Sequence, residues 1–140
     1  MRRILLPLLV LGLFLASCGT ATQTDLSATT ETGVITVSAA DAYAITSAPP
    51  ADLVVLDVRT PEEFSEGHLD GAINIDFYEA DFGTELANLD KDVPYVLYCR
   101  SGNRSATTAQ EMRSLGFTEV YEVDGGILSW LDNGLPLANS

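Results

Sequence analysis

The sequence predicts an α/β domain, a mainly parallel central sheet with helices on both faces. Two observations carry that prediction. Short apolar, β-branched runs alternate along the chain with segments of helical period. Helix start and stop signals fall between those runs, where the crossovers of a parallel sheet belong.

Residues 34–37 read as a first strand. Ser38 then caps a helix over 38–46, with Asp41 three residues on. The run 53–58 is apolar and β-branched, hence a strand buried on both faces. Thr60-Pro61-Glu62-Glu63 combines a cap, a proline at the first helical position and an acid at the third, a strong helix start. A loop bounded by Gly67 and Gly71 leads to a brief strand over 72–75 and a helix over 81–89. The next buried strand is entered by Pro94 and ends at Tyr98. Ala106, Ala109 and Met112 recur at helical spacing over 105–115, and Gly116 stands where a C-cap glycine would. A strand over 120–123 and a helix over 127–133 complete the series, with Gly125 and Gly126 turning between them and Trp130 assigned to the core. Reactive groups in such sheets gather beyond the carboxyl ends of the strands, where Asp57, Cys99 and Asp124 lie.

Residues 1–17 stand apart from this domain. Arg2 and Arg3 precede an apolar run of twelve residues, 4–15, shorter than the ~20 needed to span a bilayer. Leu15-Ala16-Ser17-Cys18 follows. This order of charge, apolar stretch, small residues and cysteine resembles the lipobox of bacterial lipoproteins. The resemblance implies cleavage before Cys18, lipidation of Cys18, and an extracytoplasmic chain anchored at the cell membrane or outer membrane. The alternatives are an ordinary secretory signal with an incidental Cys18 and a short N-terminal membrane anchor. Residues 18–33 are rich in Thr, Ser and Ala without apolar period and read as a tether; 34–140 read as one domain.

The chain has 7 basic and 20 acidic residues, a net charge of −13. Without Arg2 and Arg3 the net becomes −15. Such a surface repels nucleic acid and anionic lipid headgroups, which leaves the lipid to hold the chain at a membrane. With Cys18 acylated, Cys99 is the one free thiol and has no partner for an intramolecular disulfide.

Cys99 sits at a strand end, on the tight loop Cys99-Arg100-Ser101-Gly102-Asn103-Arg104-Ser105 that feeds a helix N-terminus. Five consecutive backbone N–H groups, with Gly102 letting the chain turn, can point inward there and cradle an anion. The helix dipole and the charges of Arg100 and Arg104 add to this field. All three effects favour thiolate over thiol and make Cys99 a candidate nucleophile. Asp57, beside Arg59 and a turn from Glu63, suggests an ion-pair and capping cluster that positions the neighbouring loop, and a hydrogen bond from Asp57 to the Cys99 loop is a further possibility. His68 has no second histidine and no spare cysteine beside it, so a structural hydrogen bond is assigned to it rather than a metal.

With loop, alternation and spacing in hand, the chain resembles the single-domain rhodaneses over about residues 34–137. The motifs that carry the resemblance are Asp57-Val58-Arg59, Pro61-Glu62-Glu63-Phe64, the stretch from Gly67-His68 to Asn74-Ile75, the Cys99 loop, Gly116-Phe117, and Asp124-Gly125-Gly126-Ile127 with Trp130. The resemblance implies a sulfurtransferase. A small anionic donor such as thiosulfate gives its sulfane sulfur to Cys99, and cyanide, a thiol or a protein cysteine removes it from the persulfide. It implies that Arg100, Ser101, Gly102, Asn103 and Arg104 line the anion pocket, that Ser105 adds a hydroxyl, and that neither cofactor nor metal is required. Arg100 or Arg104 could meet the donor's sulfonate. The basic loop leans toward thiosulfate over mercaptopyruvate.

Two rival functions share these features. Phosphatases and arsenate reductases of the same fold also close a cysteine-to-arginine loop on an anion, but around five enclosed residues. Cys99 and Arg104 enclose four, and position 105 is Ser. A rhodanese-like binding or sulfur-carrier module with little turnover is the second rival. Such modules often lack the cysteine that is present here.

Overall fold

A computed structural model describes residues 33–138. The predicted signal peptide, Cys18 and all of the tether except Gly33 lie outside the described residues. Strands and helices alternate as β1 (Gly33–Val37), α1 (Ala39–Ser47), β2 (Val54–Asp57), α2 (Pro61–Ser65), β3 (Ile73–Asn74), α3 (Phe82–Asn88), β4 (Pro94–Tyr98), α4 (Asn103–Leu115), β5 (Glu119–Val123) and α5 (Gly126–Asp132). The strands form one sheet in the order β1-β5-β4-β2-β3, and every pairing is parallel. The fold class is the one the alternation predicts.

Local chemistry sets the element ends. Ser38 Oγ accepts from Asp41 N–H at 3.1 Å and starts α1. The capping box of α2 is complete: Thr60 Oγ1 accepts from Glu63 N–H at 3.3 Å, and Glu63 Oε2 accepts from Thr60 N–H at 3.0 Å. Gly116, at φ 87°, ends α4 in the left-handed region.

Two apolar layers sandwich the sheet. On one face Leu56, Val58, Tyr95, Leu97, Cys99 and Val120 pack with Phe82 and Leu86 of α3 and with Ala109 and Met112 of α4. On the other, Val55, Val96, Tyr98 and Val123 pack with Ala39 and Ala42 of α1 and with Ile127 and Trp130 of α5. Each fully buried Val, Leu or Phe contributes about 1.5–3 kcal/mol relative to exposure. β4 lies at the centre of the sheet and delivers Cys99 to its carboxyl edge.

Some predicted boundaries move. β1 begins at Gly33, inside the expected tether, because Gly33 N–H donates to Thr118 O at 2.7 Å and joins the ladder to β5. α4 begins at Asn103, two residues before the expected start, since Ala106 N–H already bonds Gly102 O at 2.9 Å. Its inward stripe is therefore Ser105, Thr108, Ala109 and Met112, and Ala106 is exposed, not core-facing as its spacing suggested. Ser105 and Thr108 hide that stripe by being polar; Thr108 Oγ1 donates to Arg104 O at 2.9 Å.

Candidate active site

The loop 99–102 leaves the centre of the sheet and turns at Gly102, whose φ of 96° favours a residue without Cβ. What aims the loop is α5. Ile127 N–H donates to Cys99 O at 2.9 Å, and Leu128 N–H donates to Arg100 O at 3.1 Å. In a trans peptide the N–H points away from the carbonyl, so fixing these two carbonyls on α5 turns the following amides the other way. Gly126 makes the approach possible: a Cβ there would lie 2.4 Å from Cys99 O.

Gly102 N–H reaches Cys99 Sγ at 3.1 Å. Burial, with the residue 1% exposed, pushes the thiol pKa up, but the Ser105 hydroxyl and the N–H groups of Ser105, Gly102 and Ser101 outweigh it. The net shift is below an ordinary thiol, the direction the cradle argument requires. The amides that face the sulfur are thus those of residues 101, 102 and 105, three where the sequence suggested five. The first turn of the thirteen-residue α4 lies beside them and adds its dipole.

The two arginines separate. Arg104 pairs with Glu63, with Nη1 to Oε2 at 2.7 Å and Nη2 to Oε1 at 2.8 Å, while its charge still acts on Cys99. Its guanidinium also lies 5.5 Å from the Tyr78 ring centre. The fork holds the loop against α2, and Glu63 offsets much of the charge that the sequence assigned to the anion pocket. Arg100 is exposed and borders a cavity of about 270 Å³ with Arg59, Glu63, Leu128 and Leu131. Cys99 does not line that cavity. Asn103 is exposed, as is Asp124.

Asp57 and Arg59 form the buried pair expected of them. Asp57 Oδ2 lies 2.7 Å from Arg59 Nη2, and Oδ1 accepts from Arg59 N–H at 2.8 Å. Arg59 Nη2 continues to Gly67 O at 2.8 Å, which fixes the 67–71 loop. The Asp57 carboxylate therefore serves this loop, and its bonds run to Arg59 and to the Tyr98 side chain rather than to the Cys99 loop. His68 stacks on Phe64 with ring centres 3.9 Å apart and places Nδ1 3.1 Å from Phe64 O, a packing role.

Sequence reasoning missed Glu122. It is 5% exposed, and Ser105 Oγ donates to its Oε1 at 2.6 Å. The signal was present: in Glu119-Val120-Tyr121-Glu122-Val123 the period of two places Glu122 on the same face as buried Val120. A carboxyl at a core position needs polar partners, and Ser105 and Thr36 supply them.

Residues 38–133 match the family model described as the rhodanese-like domain. The thiosulfate sulfurtransferase GlpE of Pseudomonas putida is 41% identical over 78 residues, 55% of this chain and 68% of that protein. A solved structure of a rhodanese-related protein from Thermoplasma volcanium superposes with a TM-score of 0.66 at 33% identity, covering 75% of this chain and 98% of that one. The polysulfide-sulfur transferase homodimer of Wolinella succinogenes superposes with a TM-score of 0.61 at 30% identity, covering 76% and 80%.

Proposed function

The chain belongs to the rhodanese-like domain family, and from that membership and the Cys99 loop we propose that it is a sulfurtransferase working through a Cys99 persulfide. The observation that carries the reading is the Gly102 N–H aimed at Cys99 Sγ at 3.1 Å, in a loop whose first two carbonyls, of Cys99 and Arg100, are held on α5. Cys99 thiolate attacks the outer sulfur of thiosulfate; the S–S bond of the donor breaks and sulfite leaves with its electron pair. The anionic persulfide then sits where the loop amides already point, which stabilises it without reorganisation. A thiophilic acceptor, such as cyanide or a thiol, attacks the outer persulfide sulfur and returns Cys99 to thiolate, in ping-pong order. Arg100, exposed and next to Cys99 in the chain, offers a cation for the donor's sulfonate. Asn103 is exposed, and Arg104 holds the loop in place through Glu63.

The engagement of Arg104 with Glu63 also weighs against phosphate or arsenate chemistry, which needs that guanidinium turned into the cradle. The test is intact mass of the full chain carrying Cys18→Ser, before and after thiosulfate. One added sulfur, removed by cyanide and absent with Cys99→Ser, supports the reading. A reduced, unmodified Cys99 after thiosulfate excludes this donor.

We further propose that residues 1–17 are a lipoprotein signal and that Cys18 carries lipid, placing the domain at the extracytoplasmic face of a membrane. The residue pattern at 2–18 supports this. Among the described residues no helix is long and apolar enough to cross a membrane. Incorporation of a labelled fatty acid, lost in Cys18→Ala, tests it; equal labelling of both chains refutes it.

A further inference from the structure

Among the described residues, Glu122 is the one buried carboxyl that the proposed chemistry leaves unused and that no arginine or lysine neutralises. The only ion pairs within 4.0 Å among the described residues are Asp57–Arg59 and Glu63–Arg104. Its surroundings are specific. From α4, Ser105 Oγ stands 2.6 Å from Glu122 Oε1, 3.1 Å from Gly102 O, and faces Cys99 Sγ. From β1, Thr36 lies opposite it in the ladder and hydrogen-bonds it. From β4 comes Leu97. On its own strand end is Asp124, a like charge. Arg113 of α4 shares a cavity of about 220 Å³ with it but donates Nη2 to Val34 O at 3.1 Å. The loop itself is close: a Cβ on Gly102 would lie 4.0 Å from Glu122 Oε1.

A serine hydroxyl has one proton to donate. With Glu122 ionised, that proton goes to the carboxylate, and Ser105 offers Cys99 only lone pairs. With Glu122 protonated, the carboxyl donates to Ser105 Oγ, and the Ser105 proton turns to its other acceptors, Gly102 O at 3.1 Å and Cys99 Sγ, of which the anionic sulfur draws it more strongly. The ionised thiolate and the neutral carboxyl therefore belong to the same arrangement.

We propose that Glu122 is a positioning residue for Cys99, holding in its carboxyl the proton that the thiol releases and turning the Ser105 hydroxyl toward the sulfur. The transfer balances. The Cys99 S–H bond breaks and its proton passes to Ser105 Oγ. The Ser105 O–H proton passes to Glu122. What results is thiolate, neutral carboxyl and intact serine, with both hydrogen bonds reversed. No external base is consumed, and the carboxyl stays neutral through the persulfide stage because the sulfur remains anionic. Burial, foremost, and the Asp124 charge hold the Glu122 pKa above an ordinary carboxyl, against the hydrogen bonds from Ser105 and Thr36, which agrees with this role.

The inference rests on Cys99 being the reactive thiol of the proposed function, but its test needs no sulfur donor. The full chain carrying Cys18→Ser, with carbon-13 at the cysteine Cβ and glutamate Cδ, is titrated by NMR as wild type, Glu122→Gln, Ser105→Ala and both together. The expected result is a Glu122 carboxyl still neutral where Cys99 is already thiolate, and a second inflection of the Cys99 signal where Glu122 ionises. Glu122→Gln removes that second inflection. Ser105→Ala raises the Cys99 midpoint by about one pH unit, and adding Glu122→Gln to it changes nothing more. Cys99→Ser, which needs no change at Glu122, lowers the Glu122 midpoint by the reciprocal amount. Identical Cys99 curves in wild type and Glu122→Gln, or a Glu122 midpoint indifferent to Cys99→Ser, overturn the proposal. Thiosulfate mass labelling of the same samples reports separately on the transferase reading: coupled curves without sulfur uptake would reject that reading and keep this one.

Discussion

Arg104 and Glu63 are 41 residues apart in sequence and joined by two parallel hydrogen bonds of 2.7 and 2.8 Å. Glu63 simultaneously closes the capping box of α2 through Thr60 N–H. One carboxylate thus starts a helix and holds the loop of the nucleophile.

That double use makes a pH prediction. The hydrogen bonds from Arg104, against a smaller opposing effect of burial, lower the Glu63 pKa from 4.5 to about 2. A depressed carboxyl pKa contributes stability that is fully present above 4.5 and lost as the pH falls toward 2. Glu63→Gln should therefore be less stable than wild type at neutral pH by about 1–2 kcal/mol, after discounting for solvent screening. The gap should close on acidification through that window. Urea denaturation of both proteins across pH measures it; a gap independent of pH would contradict the ion pair.

Gly126 offers a steric test with a built-in control. Gly134 has a similar φ of 67°, with open space where a Cβ would go. Gly134→Ala should cost only left-handed backbone strain, about 1–2 kcal/mol. Gly126→Ala adds a collision with Cys99 O and should cost about 2–5 kcal/mol. It should also raise the Cys99 midpoint in the NMR titration, which Gly134→Ala should leave in place.

Asp57 is buried and Arg59 nearly so, and removing one partner strands the other. Asp57→Asn should destabilise the fold by about 3–5 kcal/mol in urea. Because the pair's bonds run to the 67–71 loop, the Cys99 titration curve at a temperature where the variant is folded should match wild type. A shifted curve would place Asp57 in the cradle after all.

Tyr98, the residue before the nucleophile, points to the opposite face of the sheet and accepts from Leu69 N–H at 3.1 Å. Burial, reinforced by the Asp57 charge, raises its phenol far above the ordinary value, so it stays neutral. Tyr98→Phe leaves a buried amide unsatisfied and should cost about 1–3 kcal/mol of thermal or urea stability. Sulfur uptake by Cys99 should persist.

The layout of strands and helices was legible because its signals are local. The Ser38 and Thr60 caps, the Gly116 stop and the apolar runs each act within a few residues and needed no knowledge of the rest. Cys99 and its loop were legible for the same reason. What escaped were partnerships across the chain. The two loop arginines read alike until α2 presents Glu63 to one of them. Ala106 looked like core because Ser105 and Thr108, the true inward residues, are polar. Glu122 looked like an ordinary acid because its partner lies 17 residues earlier.

The attachment of the loop to α5 bears on the order of assembly. Cys99 and the strand beneath it precede Gly126, Ile127 and Leu128 in a chain that is made from its N-terminus. Until those residues dock, the carbonyls of Cys99 and Arg100 have nothing to hold them outward, and the sulfur faces only the donors that the start of α4 supplies, Gly102 and Ser105. The full lowering of the thiol thus depends on a segment made after it, and a chain in which α5 has not docked should carry a less acidic Cys99 than the finished domain.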